Sequence, residues 1–145
     1  MELSSNLPTV IATVSKKLKA VDVRKMTAIQ ASSLMAAMRV RIFMDGRAKD
    51  GNQIGTYTPA YMKVRKAHGR GSDTKVILSL TRSMENSMEL YPLTNGTGIG
   101  FSTAENVQKA NWCERTYGKQ IFAPMAEERA MVESIAQEYI HKYIK

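Results

Sequence analysis

Cysteine, histidine and tryptophan are scarce in this chain of 145 residues, which contains one Cys, two His and one Trp. The single Cys113 excludes an internal disulfide and any zinc site built from several thiolates. Neither His68 nor His141 has a metal-ligating partner three or four residues later, where a helix would place one on the same face. The sequence therefore predicts no metal site, and its one thiol is typical of a protein that folds in a reducing cytoplasm.

Long apolar runs and catalytic motifs are also missing. No run approaches the ~20 apolar residues of a membrane-spanning helix, and there is no phosphate loop, nucleophile elbow or His-Glu-x-x-His pattern. Glu127 and Glu128 are adjacent on a predicted helix and do not face each other, so we expect them to complement its dipole. The glycine-rich residues 96–100 lack the following helix of a nucleotide loop. We therefore expect no catalytic residue, no cofactor, no enzyme activity and no membrane partner.

Basic charge is concentrated in the first part of the chain. Residues 1–82 hold 15 Lys/Arg and five Asp/Glu, a balance of +10, whereas residues 83–145 hold six and eight, a balance of −2; together these give the overall +8. Such asymmetry suggests an anionic partner, which is either nucleic acid or an acidic face on a neighbouring copy.

Two helices are predicted before residue 46. The first spans residues 6–19, capped by Asn6, with an apolar face formed by Leu7, Ile11, Val14 and Leu18. The second starts after Asp22 and continues to about Met44, where Asp45 and Gly46 form a strong stop. Its apolar face repeats at helical spacing through Ala31, Met35, Met38 and Ile42.

Residues 46–75 are rich in glycine and basic side chains, and we expect them to form a long mobile loop. Thr58 and Pro59 are typical of a helix start, so a short helix through about Ala67 is predicted within the loop. The loop is the candidate site for subunit or DNA contact, through Arg47, Lys49, Tyr57, Tyr61, Lys63, Arg65, Lys66 and Arg70. The cations could neutralise phosphates while the tyrosines stack on bases, or they could meet an acidic neighbour, or they could simply be solvated.

The second half predicts a β-hairpin followed by two helices. Asn95 and Gly96 suit a two-residue turn, and the glycines at 98 and 100 leave one face of the return strand bare, open to another backbone. A helix over residues 104–116, ended by Gly118, carries Trp112 and Cys113 as expected packing residues. A last helix is predicted from about Met125 to Tyr143.

These elements predict an α+β fold in which long helices pack on a small curved antiparallel sheet with a long basic loop. We expect residues 1–145 to form a single domain. Its parts are a helical segment over 1–45, the mobile basic loop over 46–75, and the hairpin with the C-terminal helices over 76–145.

Several stretches carry a recognisable order of motifs. They are a helix end at Ile42 and Phe43, then YTPAYMK over 57–63, LSLTRSMENSM over 78–88, ERTYG over 114–118 and IFAPM over 121–125. In that order and spacing, across about 100 residues, they resemble the phage virion-morphogenesis and tail-completion family, together with related head–tail joining proteins. The second stretch is similar to that family's Leu-Ser-Pro-x-Tyr pattern, and the third to its Leu-x-x-Thr-Gly segment.

The resemblance implies a structural virion protein without catalytic residues, present in a ring that joins the tail to the head or ends the tail. Its expected partners are further copies of itself, neighbouring neck or tail proteins, and phage DNA in the lumen. Its expected location is the virion, assembled in the host cytoplasm. The alternative left open by the residues is a small basic accessory protein that binds DNA independently of sequence.

Overall fold

Helices make up most of the structure, a computed structural model that describes residues 7–71 and 73–145. In those ranges the elements are α1 (Leu7–Lys19), α2 (Val23–Phe43), α3 (Pro59–Ala67), α4 (Ser83–Asn86), β1 (Met88–Leu93), β2 (Gly96–Phe101), α5 (Ala104–Tyr117) and α6 (Ala126–Ile144). α2 packs against both α6 and the hairpin. This confirms the predicted α+β class.

α2 lies where its sequence signals place it. The Asp22 carboxylate accepts a hydrogen bond from the Lys25 backbone N–H at 3.0 Å and so caps the first turn. Gly46 adopts a φ of +66° shortly after the helix ends at Phe43, which is the left-handed conformation expected of a stop. Both predicted ends are therefore confirmed.

α1 leaves most of its apolar face uncovered. Val10 and Ile11 are more than half exposed, and Leu18 is also exposed. α1 contacts α6 near the end of the chain, where the Lys17 ammonium donates to the carbonyl oxygens of Ile144 and Lys145. The predicted capping residue Asn6 lies outside the described residues.

The hairpin turn lies one residue earlier than predicted. Leu93 pairs with Gly96, so Thr94 and Asn95 form the two-residue connection and Gly96 is already in β2. Neither turn residue has a positive φ, so the turn does not need glycine. The register moves by two residues as a result, and an even shift keeps every side chain on its predicted face.

The glycine face of β2 is covered by the chain's own Tyr91, not by another backbone. A Cβ atom added at Gly98 would lie 2.4 Å from the Tyr91 ring, and one added at Gly100 would lie 3.0 Å from it. The two glycines thus create a shallow slot into which the ring fits. The expectation that this face is bare is wrong.

Residues 46–58 are packed against the core, so the prediction of a mobile loop is wrong for this part. Ala48, Ile54 and Tyr57 are all buried. The backbone N–H of Lys49 donates to the Gln120 carbonyl, and that of Ile54 donates to the Gly46 carbonyl. The predicted helix that follows is confirmed as α3, with Thr58 accepting from the Tyr61 N–H.

Arg41 and Glu128 form a buried ion pair at the centre of the fold. The Arg41 Nε lies 2.7 Å from a Glu128 carboxylate oxygen, and both side chains are more than nine-tenths buried. The remaining Arg41 donors bond the carbonyl oxygens of Arg47, Ile121 and Ala123. Glu128 also accepts from the Met125 N–H at the start of α6. Its role is therefore larger than the predicted complement to a helix dipole.

A candidate interaction groove

An open groove of about 600 Å³ lies between α3, α5 and the segment over residues 78–84. Its lining combines four aromatic side chains with three cations and several hydroxyl groups, and no carboxylate of the described residues lines it. The aromatic and cationic members are Tyr57, Tyr61, Trp112, Tyr117, Arg65, Arg82 and Lys109. We call this surface the aromatic groove.

Trp112 stands on the rim of the aromatic groove. It is 64% exposed, whereas the next residue, Cys113, is 7% exposed, because adjacent helical positions point in different directions. The prediction that Trp112 packs in the core is therefore wrong, and that for Cys113 is confirmed. Burial, together with the neighbouring Glu114 carboxylate, raises the pKa of the Cys113 thiol above its usual value.

Arg65 and Tyr57 build the floor of the groove. The Arg65 guanidinium lies 4.4 Å from the centre of the Tyr57 ring, and its Nη1 donates to the Tyr57 hydroxyl at 3.2 Å. That hydroxyl also accepts from the backbone N–H groups of Ile77 and Leu78. Burial raises the pKa of Tyr57. Both side chains were predicted to contact a partner; because they are buried in the fold, their role is instead to hold α3 in place.

Two polar atoms in the groove lining lack partners. Arg65 Nε and Asn106 Oδ1 are buried, and neither has a hydrogen-bond partner among the described residues. Both side chains are 3% exposed. Buried polar atoms are rarely left in this state, so each is an unused donor or acceptor beside the groove.

The groove also contains strained backbone. Leu78 has a φ of +47° and Arg82 a φ of +62°, and among the described residues these are the only left-handed positions not occupied by glycine. A non-glycine residue at such a φ value costs of order 1–3 kcal/mol of folding free energy, and residues in this conformation cluster at functional sites. Both residues line the aromatic groove.

The structure brings together only part of the predicted contact set. Tyr57, Tyr61 and Arg65 meet in the aromatic groove, with the two tyrosine rings 5.2 Å apart. Lys63 and Lys66 lie exposed on α3.

The other predicted cations lie elsewhere or are engaged. Arg47 is exposed on the packed 46–58 segment. Lys49 donates to the Gln120 side chain at 2.9 Å, and the Arg70 Nε donates to the Leu80 carbonyl at 3.0 Å.

Sequence reasoning missed Arg82, Asn106 and Lys109 and misplaced Trp112. One signal was present: the buried side of α5 runs through Asn106, Ala110 and Cys113 at helical spacing. Trp112 does not lie on that buried side of α5. No local pattern reveals the two left-handed residues.

Within residues 7–71 and 73–145, no three His, Cys, Asp or Glu side chains are placed so that they could hold a metal ion. No helix of the described ranges is both long and apolar enough to cross a membrane. Comparison of the chain with protein-family models, with curated proteins and with solved structures finds no match.

Proposed function

We propose that this protein is a non-enzymatic structural subunit that acts by binding other proteins, including further copies of itself. The observation that supports this most strongly is the aromatic groove, where an exposed Trp112 stands beside Tyr61 and Arg82. Trp, Tyr and Arg are the residue types that dominate the energetics of protein–protein interfaces. A groove that presents all three is well suited to hold a side chain or loop of a partner.

The order of sequence motifs supports a ring at the head–tail junction or tail end of a bacteriophage as the assembly. Distinct, head-to-tail contact surfaces close into rings when the rotation between copies permits. The partners are then further copies and adjacent neck or tail proteins, and the location is the virion after assembly in the host cytoplasm.

The mass of the assembled protein tests this proposal. Native mass spectrometry and electron microscopy should show a closed particle whose mass is a multiple of 16.2 kDa, and virions should contain it. A protein found only as single copies in infected cells and absent from virions would contradict the proposal.

A variant of the groove sharpens the test. Trp112→Ala should weaken assembly about 30-fold or more, since interface anchors of this type contribute about 2 kcal/mol or more. Val107→Ala is the matched control, because Val107 is also exposed on α5 but does not line the groove. Equal assembly of both variants would show that the groove is not the contact surface.

DNA binding is a second candidate function, supported by Arg47, Lys63 and Lys66. All three are exposed, and none lies within ion-pair distance of a described carboxylate. Affinity for duplex DNA should then fall steeply with salt, and Lys63→Ala/Lys66→Ala should lower the salt slope by about 2. Lys142→Ala, an exposed cation on α6, is the control. Unchanged binding by the double variant would exclude α3 as the DNA site.

A further inference from the structure

The outer face of the hairpin carries a stripe of exposed side chains. Glu89, Tyr91 and Leu93 alternate along β1, on the side opposite the core residue Met88. Tyr91 is 43% exposed and Leu93 is 50% exposed. We call these three side chains the hairpin stripe.

The hairpin stripe and the aromatic groove are complementary in charge and in chemistry. Residues 88–101 contain one acid, Glu89, and no Lys or Arg. Two exposed cations line the groove. Lys109 is paired with the Glu105 carboxylate at 2.6 Å, whereas Arg82 lies within ion-pair distance of no described carboxylate. An aromatic ring and a leucine side chain on the stripe match the exposed aromatic rim of the groove.

The two surfaces lie at different places along α2. The hairpin tip contacts the start of α2, where the Thr27 and Thr97 hydroxyls are 3.5 Å apart. The groove segment lies nearer the other end, since Arg39 pairs with Glu85, which follows the groove residue Met84. Thr27 and Arg39 are separated by about 18 Å of helix. The tip therefore lies toward the opposite end of α2 from its own chain's groove.

We propose that the hairpin stripe of one copy enters the aromatic groove of the next copy. Tyr91 and Leu93 then pack on Trp112 and Tyr61, and Glu89 meets Arg82. The contact is head-to-tail, because the donor and acceptor surfaces differ, and repetition of such a contact generates a ring. This inference rests on the proposed self-association and names the segment that fills the groove.

A pair of complementary variants tests the contact directly. The hairpin variant carries Glu89→Lys and Leu93→Asp and keeps an intact groove. The groove variant carries Arg82→Glu and Trp112→Ala and keeps an intact hairpin. All four positions are exposed, so both chains should fold; far-UV circular dichroism checks this.

Fluorescence reports on one partner alone, because Trp112 is the only tryptophan of the chain. The groove variant has no tryptophan. In a mixture of the two variants, the tryptophan fluorescence therefore comes only from the groove of the hairpin variant. Titration with the groove variant should give a saturable change in that emission. Native mass spectrometry should show a 1:1 heterodimer that grows no further, since each partner has one working surface.

A groove variant that also carries the hairpin changes is the control and should leave the emission unchanged. If the single groove variant also leaves it unchanged up to about 100 μM, a concentration at which even weak interfaces are occupied, the hairpin does not fill the groove. The mass of the wild-type particle separates the two ideas. If the wild type forms a ring but the two variants form no heterodimer, only the hairpin contact is overturned. If the wild type and the variants are all found as single copies, self-association is overturned as well.

Discussion

The Arg41–Glu128 pair gives the sharpest prediction about stability. Replacing Glu128 by Gln keeps the side-chain volume but leaves the Arg41 charge buried without a counter-charge. Breaking a buried pair in this way costs about 3–5 kcal/mol. Domains of this size have about 5–15 kcal/mol of total stability, so Glu128→Gln should remove a large part of the free energy of unfolding.

The opposite change should cost at least as much. Arg41→Met leaves the Glu128 carboxylate buried alone and removes the donor from three backbone carbonyl oxygens. Each carbonyl adds about 1 kcal/mol to the loss. The double variant Arg41→Met/Glu128→Gln removes both charges, so its loss should be smaller than the sum of the two single losses by about 2–3 kcal/mol.

Urea unfolding of the wild type and the three variants measures this cycle. The midpoint should fall with little change in slope, since the surface exposed on unfolding is nearly the same. A Glu128→Gln variant within about 0.5 kcal/mol of the wild type, a loss typical of surface positions, together with additive losses in the double variant, would refute the reasoning.

Three further predictions use the same urea assay. Gly46→Ala should cost about 3 kcal/mol or more of stability, because its Cβ would lie 2.3 Å from the Val76 carbonyl oxygen at a φ of +66°. Gly69→Ala, at a φ of +68° but in open space, should cost only about 1 kcal/mol. Equal losses in the two variants would contradict the clash. Stability should decline as pH rises above about 8.5, where the unfolded thiol ionises while the raised pKa keeps folded Cys113 protonated, and Cys113→Ala should remove the first part of that decline. Tyr57→Phe should cost about 2–3 kcal/mol, because one buried and two partly buried donors lose their acceptor. A loss below about 1 kcal/mol would show that water replaces the hydroxyl.

Elements with chemical signals at their ends could be predicted from the sequence. α2 begins after Asp22, α3 begins after Thr58, and α5 ends at Gly118, because in each case a side chain or a glycine satisfies the helix end locally. The hairpin was predicted with the correct faces but with its turn one residue late, at Asn95 and Gly96. Its true position depends on which residues pack on α2, and a turn motif does not contain that information.

The groove could not be predicted because it is made by distant segments. Arg65 has the same local appearance as Lys63, yet it is buried because Tyr57 and the Ser79 carbonyl accept its hydrogen bonds. The left-handed φ of Arg82 likewise has no signal in its residue type, since the conformation is imposed by the packing around it. The charge pattern of the sequence does not show which cations are buried. The prediction therefore placed buried and exposed cations together in one loop.

The hydrogen bonds of Arg41 also bear on the order in which the chain can fold during synthesis. Glu128 follows Arg41 by 87 residues, which a ribosome adds in roughly 4 to 17 s. Throughout that interval α2 can form its own backbone hydrogen bonds, and Ala48, Ile54 and Val76 become available to pack in the same core as Ile42 and Phe43. The Arg41 guanidinium, however, still lacks its counter-charge. The cost of burying an unpaired Arg41 charge therefore opposes closure of this end of α2 until Glu128 has emerged, so this part of the core closes late during synthesis.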